Sequence, residues 1–333
     1  MPRPRLLVLS LGGTITMTPD AGGGIAPTLG AAELVAAVPG LAETAEIETR
    51  SPFKVGSASL TLENIVEVAG ALRTGFAQGC DGAIVVQGTD TIEETAFALD
   101  LLVRDARPVV VAGAMRGPQQ PGADGPANLL AAAIVATSPA ARGLGTLVVL
   151  NDEIHAARFV RKAHTALPSA FISETAGPLG LVAEGRARIL SRVLQTEMPP
   201  ERPALGVSHA GLPPVALLKI AMGDDGRLLR AVPGLGFAGL VIEGAGAGHV
   251  PGAMAEAVGA VAARLPVVLA SRALAGPAFE RTYGYPGSEI DLLGRGAISA
   301  GFLSGVKARL LLTLAVQAGW NRDTLRAAFA AYG

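Results

Sequence analysis

Short apolar, β-branched runs alternate along this chain with stretches of helical periodicity, and that alternation leaves little choice of fold. Residues 6–11, 82–87, 108–112 and 146–150 read as strands. Between them, Ile65, Ala69, Leu72 and Phe76 recur at the spacing of one helix face, as do Ile92, Ala96, Leu99 and Val103. Strand–helix–strand units join parallel neighbours, so the sequence predicts an α/β fold with a mainly parallel sheet and flanking helices. Burial from both faces also accounts for runs such as Val109-Val110-Val111, in which no polar residue alternates.

The chain has 333 residues, roughly the length of two domains. Pro199, Pro200, Pro203, Pro213 and Pro214 crowd one segment, and proline at that density stops helices and stiffens a linker. The expected organisation is a larger N-terminal domain over 1–197, a proline-rich linker over 198–214 and a smaller C-terminal α/β domain over 215–333. In the last part, 239–242 and 266–270 read as strands, and 252–265 and 305–318 as helices. Gly22-Gly23-Gly24 marks a loop beyond the first strand.

Composition narrows the function classes. Half of the residues are hydrophobic and 17% are charged, enough apolar material for a large core and too much for a disordered chain. No apolar stretch approaches the roughly 20 residues that span a bilayer, so no membrane association is expected. A formal net charge of −1 offers no footprint for nucleic acid. High hydrophobicity at low charge points to apolar surface covered in an oligomer. One cysteine, Cys80, excludes an internal disulfide, and the scattered His155, His164, His209 and His249 form no metal motif, so neither metal nor cofactor is expected. Met1-Pro2-Arg3-Pro4-Arg5 runs into a short apolar strand that meets Gly12-Gly13 instead of a cleavage site. It reads as a first strand, and the expected location is the cytoplasm.

In open α/β sheets, ligands bind beyond the C-terminal strand ends. The first strand delivers Gly12-Gly13-Thr14-Ile15-Thr16 there, and the strand over 82–87 delivers Gly88-Thr89-Asp90-Thr91 before a helix. Glycine lets backbone approach a ligand, and a helix N-terminus offers N–H groups to an anion or oxyanion. Thr89-Asp90-Thr91 alone also fits an ordinary helix cap. Thr14 is a candidate nucleophile, which needs activation because a free hydroxyl is weakly acidic. Lys162, one of only four lysines, is a candidate base or cationic partner for Asp90.

These segments resemble the bacterial-type L-asparaginases with threonine nucleophiles. The resemblance rests on Leu11-Gly12-Gly13-Thr14-Ile15 and on Gln87-Gly88-Thr89-Asp90-Thr91-Ile92-Glu93-Glu94-Thr95. It continues through Gly113-Ala114-Met115-Arg116, Ala123-Asp124-Gly125-Pro126-Ala127-Asn128-Leu129 and Gly177-Pro178-Leu179-Gly180, in order over nearly the whole chain. It implies hydrolysis of L-asparagine to L-aspartate and ammonia through an acyl-enzyme on Thr14. Thr89, Asp90 and Lys162 would form the second catalytic group. Asp90 would also hold the substrate ammonium and Ser57 its α-carboxylate. Counting back from Lys307-Ala308-Arg309, the acid that reaches a neighbouring subunit's substrate falls on Glu289. The resemblance thus implies a homodimer or homotetramer with sites shared between subunits.

Three departures stand out. No tyrosine precedes Tyr283, so the family's lid tyrosine is missing, which leaves Thr16, Thr18 or a water to activate Thr14. Ala58 follows Ser57 where a polar amide is common, and Gly244-Ala245-Gly246-Ala247-Gly248-His249 lacks an asparagine often found near the neighbour's substrate. Tyr283 and Tyr285 read either as packed turn residues or as the wall of a neighbour's site. The alternatives to an asparaginase are a non-catalytic or weakly catalytic amino-acid-binding protein, or a same-fold amidohydrolase for glutamine or D-amino-acid amides.

Overall fold

The computed structural model describes residues 3–19, 25–27, 29–194 and 211–332. The chain divides between Val193 and Leu194 into two compact units. The Gly22-Gly23-Gly24 loop and most of the proline-rich segment 198–214 lie outside the described residues.

The first unit is built on an eight-stranded sheet. Its strands are β1 (Arg5–Ser10), β2 (Glu46–Arg50), β3 (Gly82–Val86), β4 (Val109–Ala112), β5 (Thr146–Leu150), β6 (Glu153–Ala156), β7 (Gly180–Ala183) and β8 (Arg186–Ile189). Their spatial order is β8-β7-β6-β5-β4-β3-β1-β2. From β2 to β5 every pairing is parallel. The last three strands turn antiparallel, beginning at Asn151 and Asp152, which take left-handed φ of 52° and 61°. That extension departs from the uniform strand–helix rhythm, although the sheet remains mostly parallel. Its strands are hard to read because Glu153, Arg186 and Arg188 interrupt their apolar pattern.

The strand interiors follow from their side chains. Leu6, Val8, Ile84, Val86, Val110 and Leu147 lie in one buried cluster with Leu129 and Ala132 of the helix Gly125–Ala136. Their alternates Leu7, Leu9, Val85 and Val111 are as completely buried, and Leu7 lies against Gly75 of the helix Leu62–Ala77. Each fully buried side chain of this size contributes about 1.5–3 kcal/mol. The Leu62–Ala77 helix starts where Thr61 and Asn64 cap each other's backbone N–H groups, at 3.0 and 3.3 Å.

Topology then places the site. After β1 the chain moves outward to the edge strand β2, and after β3 it moves the opposite way to β4. The connections diverge, so the crevice lies at the C-terminal ends of β1 and β3.

The second unit carries four parallel strands in chain order, β9 (Val215–Lys219), β10 (Gly239–Gly244), β11 (Val267–Ser271) and β12 (Ile298–Ser299). Helices Ala255–Ala262 and Gly305–Gln317 lie close to the spans expected from sequence. Ile242, Leu269, Val258 and Leu292 sit in its core.

Candidate active site

The loop after β1 is shaped by two glycines at φ of 106° and 92°, Gly12 and Gly13. A side chain at Gly13 would collide with the backbone of Gly88, and one at Gly12 with the backbone of Val55. Gly88 in turn leaves room for the Ser57 hydroxyl, 2.8 Å from where its own Cβ would be. Three loops, carrying Thr14, Ser57 and Thr89, are therefore drawn together by residues without side chains.

Thr14 opens a short 3-10 turn, Thr14–Thr16, and is half-buried. Among the described residues no hydrogen bond engages its hydroxyl. Thr16 is fully buried, and its hydroxyl and N–H both donate to Gly13 O, at 2.7 and 2.9 Å. Thr16 therefore braces the turn instead of activating its neighbour. The side chain of Thr18 lies outside the described set.

The loop after β3 forms the 3-10 turn Thr89–Thr91 and runs straight into the helix Ile92–Leu102. Thr91 occupies the cap position yet makes no cap hydrogen bond. Its hydroxyl donates to Ser57 O at 3.0 Å and accepts from Gln87 Nε2 at 3.2 Å. Gln87 Nε2 also donates to Gly88 O at 3.2 Å. The Ser57 hydroxyl accepts the N–H of Asp90 at 3.2 Å, which leaves its own proton for a bound anion. Ala58 beside it is exposed and offers nothing polar.

Lys162 reaches this turn from a two-residue strand, Arg161–Lys162, paired with Phe171–Ile172. Its Nζ donates to Thr89 Oγ1 at 2.8 Å and to Asp90 Oδ1 at 2.6 Å. Its backbone N–H donates to Glu93 at 3.3 Å. An ammonium that donates to Thr89 Oγ1 directs that hydroxyl's proton elsewhere, toward developing negative charge. The structure thus brings Thr89, Asp90, Lys162 and Ser57 into one network and sets the Thr14 turn against it.

Other quoted motifs support the sheet edge. Asp124 accepts the N–H groups of Met115 and Arg116 at 2.9 and 2.8 Å. Asn128 ties the end of β4 to that of β5, donating to Gly113 O at 3.0 Å and accepting from Asn151 N at 2.9 Å. Read singly, Gln87, Asp124 and Asn128 carry no signal beyond membership of a matched motif, and Thr91 carries only that of a helix cap, a bond its side chain does not make. His164 is exposed, and its ring accepts N–H groups of its own turn. Cys80 is buried; burial and the nearby Glu48 push its thiol above the ordinary value, which suits a packing residue.

Glu289 belongs to the second unit. Its residue is fully buried, and its carboxylate accepts the N–H groups of Thr282 and Tyr283 at 2.8 and 2.6 Å. His249 Nε2 lies 3.0 Å from its other oxygen. Burial alone raises this carboxyl, but the N–H groups of Tyr283, Glu289 itself and Thr282, with His249, outweigh it and hold it below the ordinary range. The Gly244 to Gly248 loop closes through a bridge between Ala245 and His249. That turn seats the His249 ring edge-on to Tyr283 and Tyr285, with centroids 5.0 and 5.5 Å away.

Among the described residues no cluster of acidic, histidine or cysteine side chains could hold a metal, and no helix is long and apolar enough to cross a membrane.

A threonine turn, a Thr–Lys–Asp network and a buried serine at the switch point of a parallel sheet define a hydrolase-type α/β site. Residues 5–195 match the asparaginase N-terminal family and residues 214–329 the glutaminase/asparaginase C-terminal domain. The chain belongs to the asparaginase family. It is 33% identical to an L-asparaginase of Bacillus licheniformis, covering 93% of this chain and 94% of that one. To a "Probable L-asparaginase" of Deinococcus radiodurans it is 36% identical, covering 98% and 97%. The crystal structure of a "Probable Cytoplasmic L-asparaginase" from Campylobacter jejuni superposes with a TM-score of 0.88 at 30% identity, over 98% of this chain and 99% of that one.

Proposed function

We infer that this member of the asparaginase family hydrolyses L-asparagine to L-aspartate and ammonia. Two relatives and a solved structure that carry that name, over nearly full length, support the reaction. The observation that carries the residue assignment is the bonding of Lys162 to both Thr89 and Asp90 beside the Thr14 turn.

Thr14 Oγ1 attacks the side-chain amide carbon, ammonia leaves, and water releases aspartate from the ester. Thr89, aligned by Lys162, donates to the oxyanion together with backbone N–H groups of the glycine turns. Asp90 takes the substrate ammonium on the oxygen that Lys162 leaves, and the Ser57 proton meets the α-carboxylate. A pocket sized for a four-carbon amino acid disfavours glutamine, whose extra methylene misplaces the amide. The missing amide at Ala58 weakens carboxylate binding by about 1.5–3 kcal/mol. No step calls for a metal or cofactor.

The same reading makes the enzyme a cytoplasmic homodimer or homotetramer, with Glu289 entering from a neighbouring copy. Its buried carboxylate limits what it can touch there. Ammonia release from asparagine by the purified protein tests the function. Thr14→Ala and Thr89→Ala should each abolish release while the fold is kept. Binding of asparagine without turnover by the wild type would favour an amino-acid-binding protein.

A further inference from the structure

Lys162 stands in a ribbon of two short strands, Arg161–Lys162 and Phe171–Ile172. Along an antiparallel pair, residues that bond across the ribbon alternate with residues whose N–H and C=O point away from it. Ala163 N–H donates to Ala170 O at 2.7 Å. Lys162, one residue earlier, therefore turns its N–H to the open edge. The return strand is tied down separately. Phe171 is buried, and the Ser173 hydroxyl lies 3.0 Å from His155 Nδ1 in β6.

At that open edge Glu93 receives the Lys162 N–H, at 3.3 Å. Glu93 lies in the first turn of the helix Ile92–Leu102, which follows the Thr89–Thr91 turn directly. One short segment thus takes the lysine at both ends. Thr89 and Asp90 accept from its Nζ, and Glu93 accepts from its backbone. A four-carbon stem has many rotamers to lose, and its ammonium is aimed only when its root is fixed as well.

The carboxylate that fixes it is poorly provided for. Its second oxygen, Oε2, is buried and meets no donor among the described residues. A buried acceptor left unmet costs stability. An acid in the first turn favours a helix, but the adjacent Glu94 stands in that turn too. Helix stability therefore does not account for a carboxylate directed at residue 162.

We propose that Glu93 is the positioning residue for Lys162. By clasping the lysine's backbone to the start of the helix, it sets where the ammonium meets Thr89 and Asp90. It touches neither the substrate nor the reacting atoms. The proposal rests on the reading of Lys162 as part of the catalytic network.

Glu93→Met in the full-length chain removes the acceptor and keeps the length of the side chain. The expected result is a fall in kcat of about ten- to a hundredfold. KM should change little, because Asp90 and Ser57 are untouched, and Tm should stay within a few degrees of wild type. Glu93→Gln returns an acceptor oxygen and should recover most of the lost kcat. In a Lys162→Met background, Glu93→Met should cost nothing more, because the ammonium it aims is gone. A purely structural role would instead lower Tm and give the same loss in both backgrounds. Should the Met variant not fold, Glu93→Asp, a methylene too short for the 3.3 Å contact, carries the same expectations. Wild-type kcat in the Glu93 variant, a Gln variant as impaired as the Met one, or an equal loss with and without Lys162 would overturn the proposal. Wild-type kcat in Lys162→Met alone would overturn the reading of Lys162 itself, and the proposal would fall with it.

Discussion

Lys162 and Asp90, 72 residues apart in the chain, meet at 2.6 Å. The Asp90 side chain is 66% exposed, and an ion pair with one partner so open to solvent contributes at most about 1 kcal/mol to stability. Lys162 also orients the Thr89 hydroxyl, so its worth lies in charge placement. Lys162→Met should leave Tm within a few degrees of wild type and lower kcat by about 10²–10⁴-fold. Steady-state ammonia release beside a thermal melt checks both halves. A large drop in Tm with proportionate activity in the folded fraction would refute the assignment.

Gly13 and Gly88 touch backbone to backbone. Gly13→Ala adds both a collision and a strained φ of 92°, a combination worth about 1–3 kcal/mol or more. The expected variant is destabilised in urea and nearly inactive, because the Thr14 turn is displaced from the Thr89 turn. Gly40→Ala is the control. It also sits at positive φ, 78°, but meets nothing within 4 Å, so it should cost stability while sparing kcat.

Thr91 links Gln87 to Ser57. Thr91→Val keeps the shape and removes the hydroxyl, taking the Thr91 bond from Ser57 O and one of two bonds from Gln87 Nε2, which keeps Gly88 O, at a cost of about 1–3 kcal/mol. Because Ser57 is the proposed carboxylate contact, KM for asparagine should rise more than kcat falls. Calorimetric binding of aspartate offers a second readout: unchanged affinity would separate Ser57 from the binding site.

His155 should make the fold acid-sensitive. It is fully buried in β6, with Nδ1 3.0 Å from the Ser173 hydroxyl, and burial lowers its pKa from 6.5 to about 4. The unfolded chain therefore binds a proton between those values that the folded chain refuses. Stability is complete above about pH 6.5 and declines as pH falls toward 4, by about 3 kcal/mol in all. Urea midpoints across that range should fall less steeply for His155→Gln than for wild type. Equal slopes would remove His155 from the account.

The parallel half of the sheet was legible because strands buried on both faces, such as Val109-Val110-Val111, have no polar alternation to confuse. The edge strand Glu46–Arg50 and the antiparallel Arg186–Ile189 were not, since charged residues fill their open sides. At the site, Thr14, Thr89 and Asp90 stand out because their motifs are dense in glycine and hydroxyl groups, Lys162 because the chain has only four lysines, and Ser57 only through the family resemblance. Their mutual bonding was not readable, because Lys162 arrives through a two-residue strand too short to leave a pattern. Glu289 was found by counting from a motif, a procedure that is blind to burial. Its inward-facing carboxylate and its hold on His249 emerge only from the fold.

Thr14, Ser57, Thr89 and Lys162 come from four separate stretches of the first unit, and the last lies 73 residues beyond Thr89. Contacts of such long range close late in folding, since the chain between them must be ordered first. On the proposed assignment, a half-folded chain would hold the Thr14 hydroxyl apart from the Thr89–Lys162 pair. During refolding, recovery of ammonia release should lag the return of helical signal.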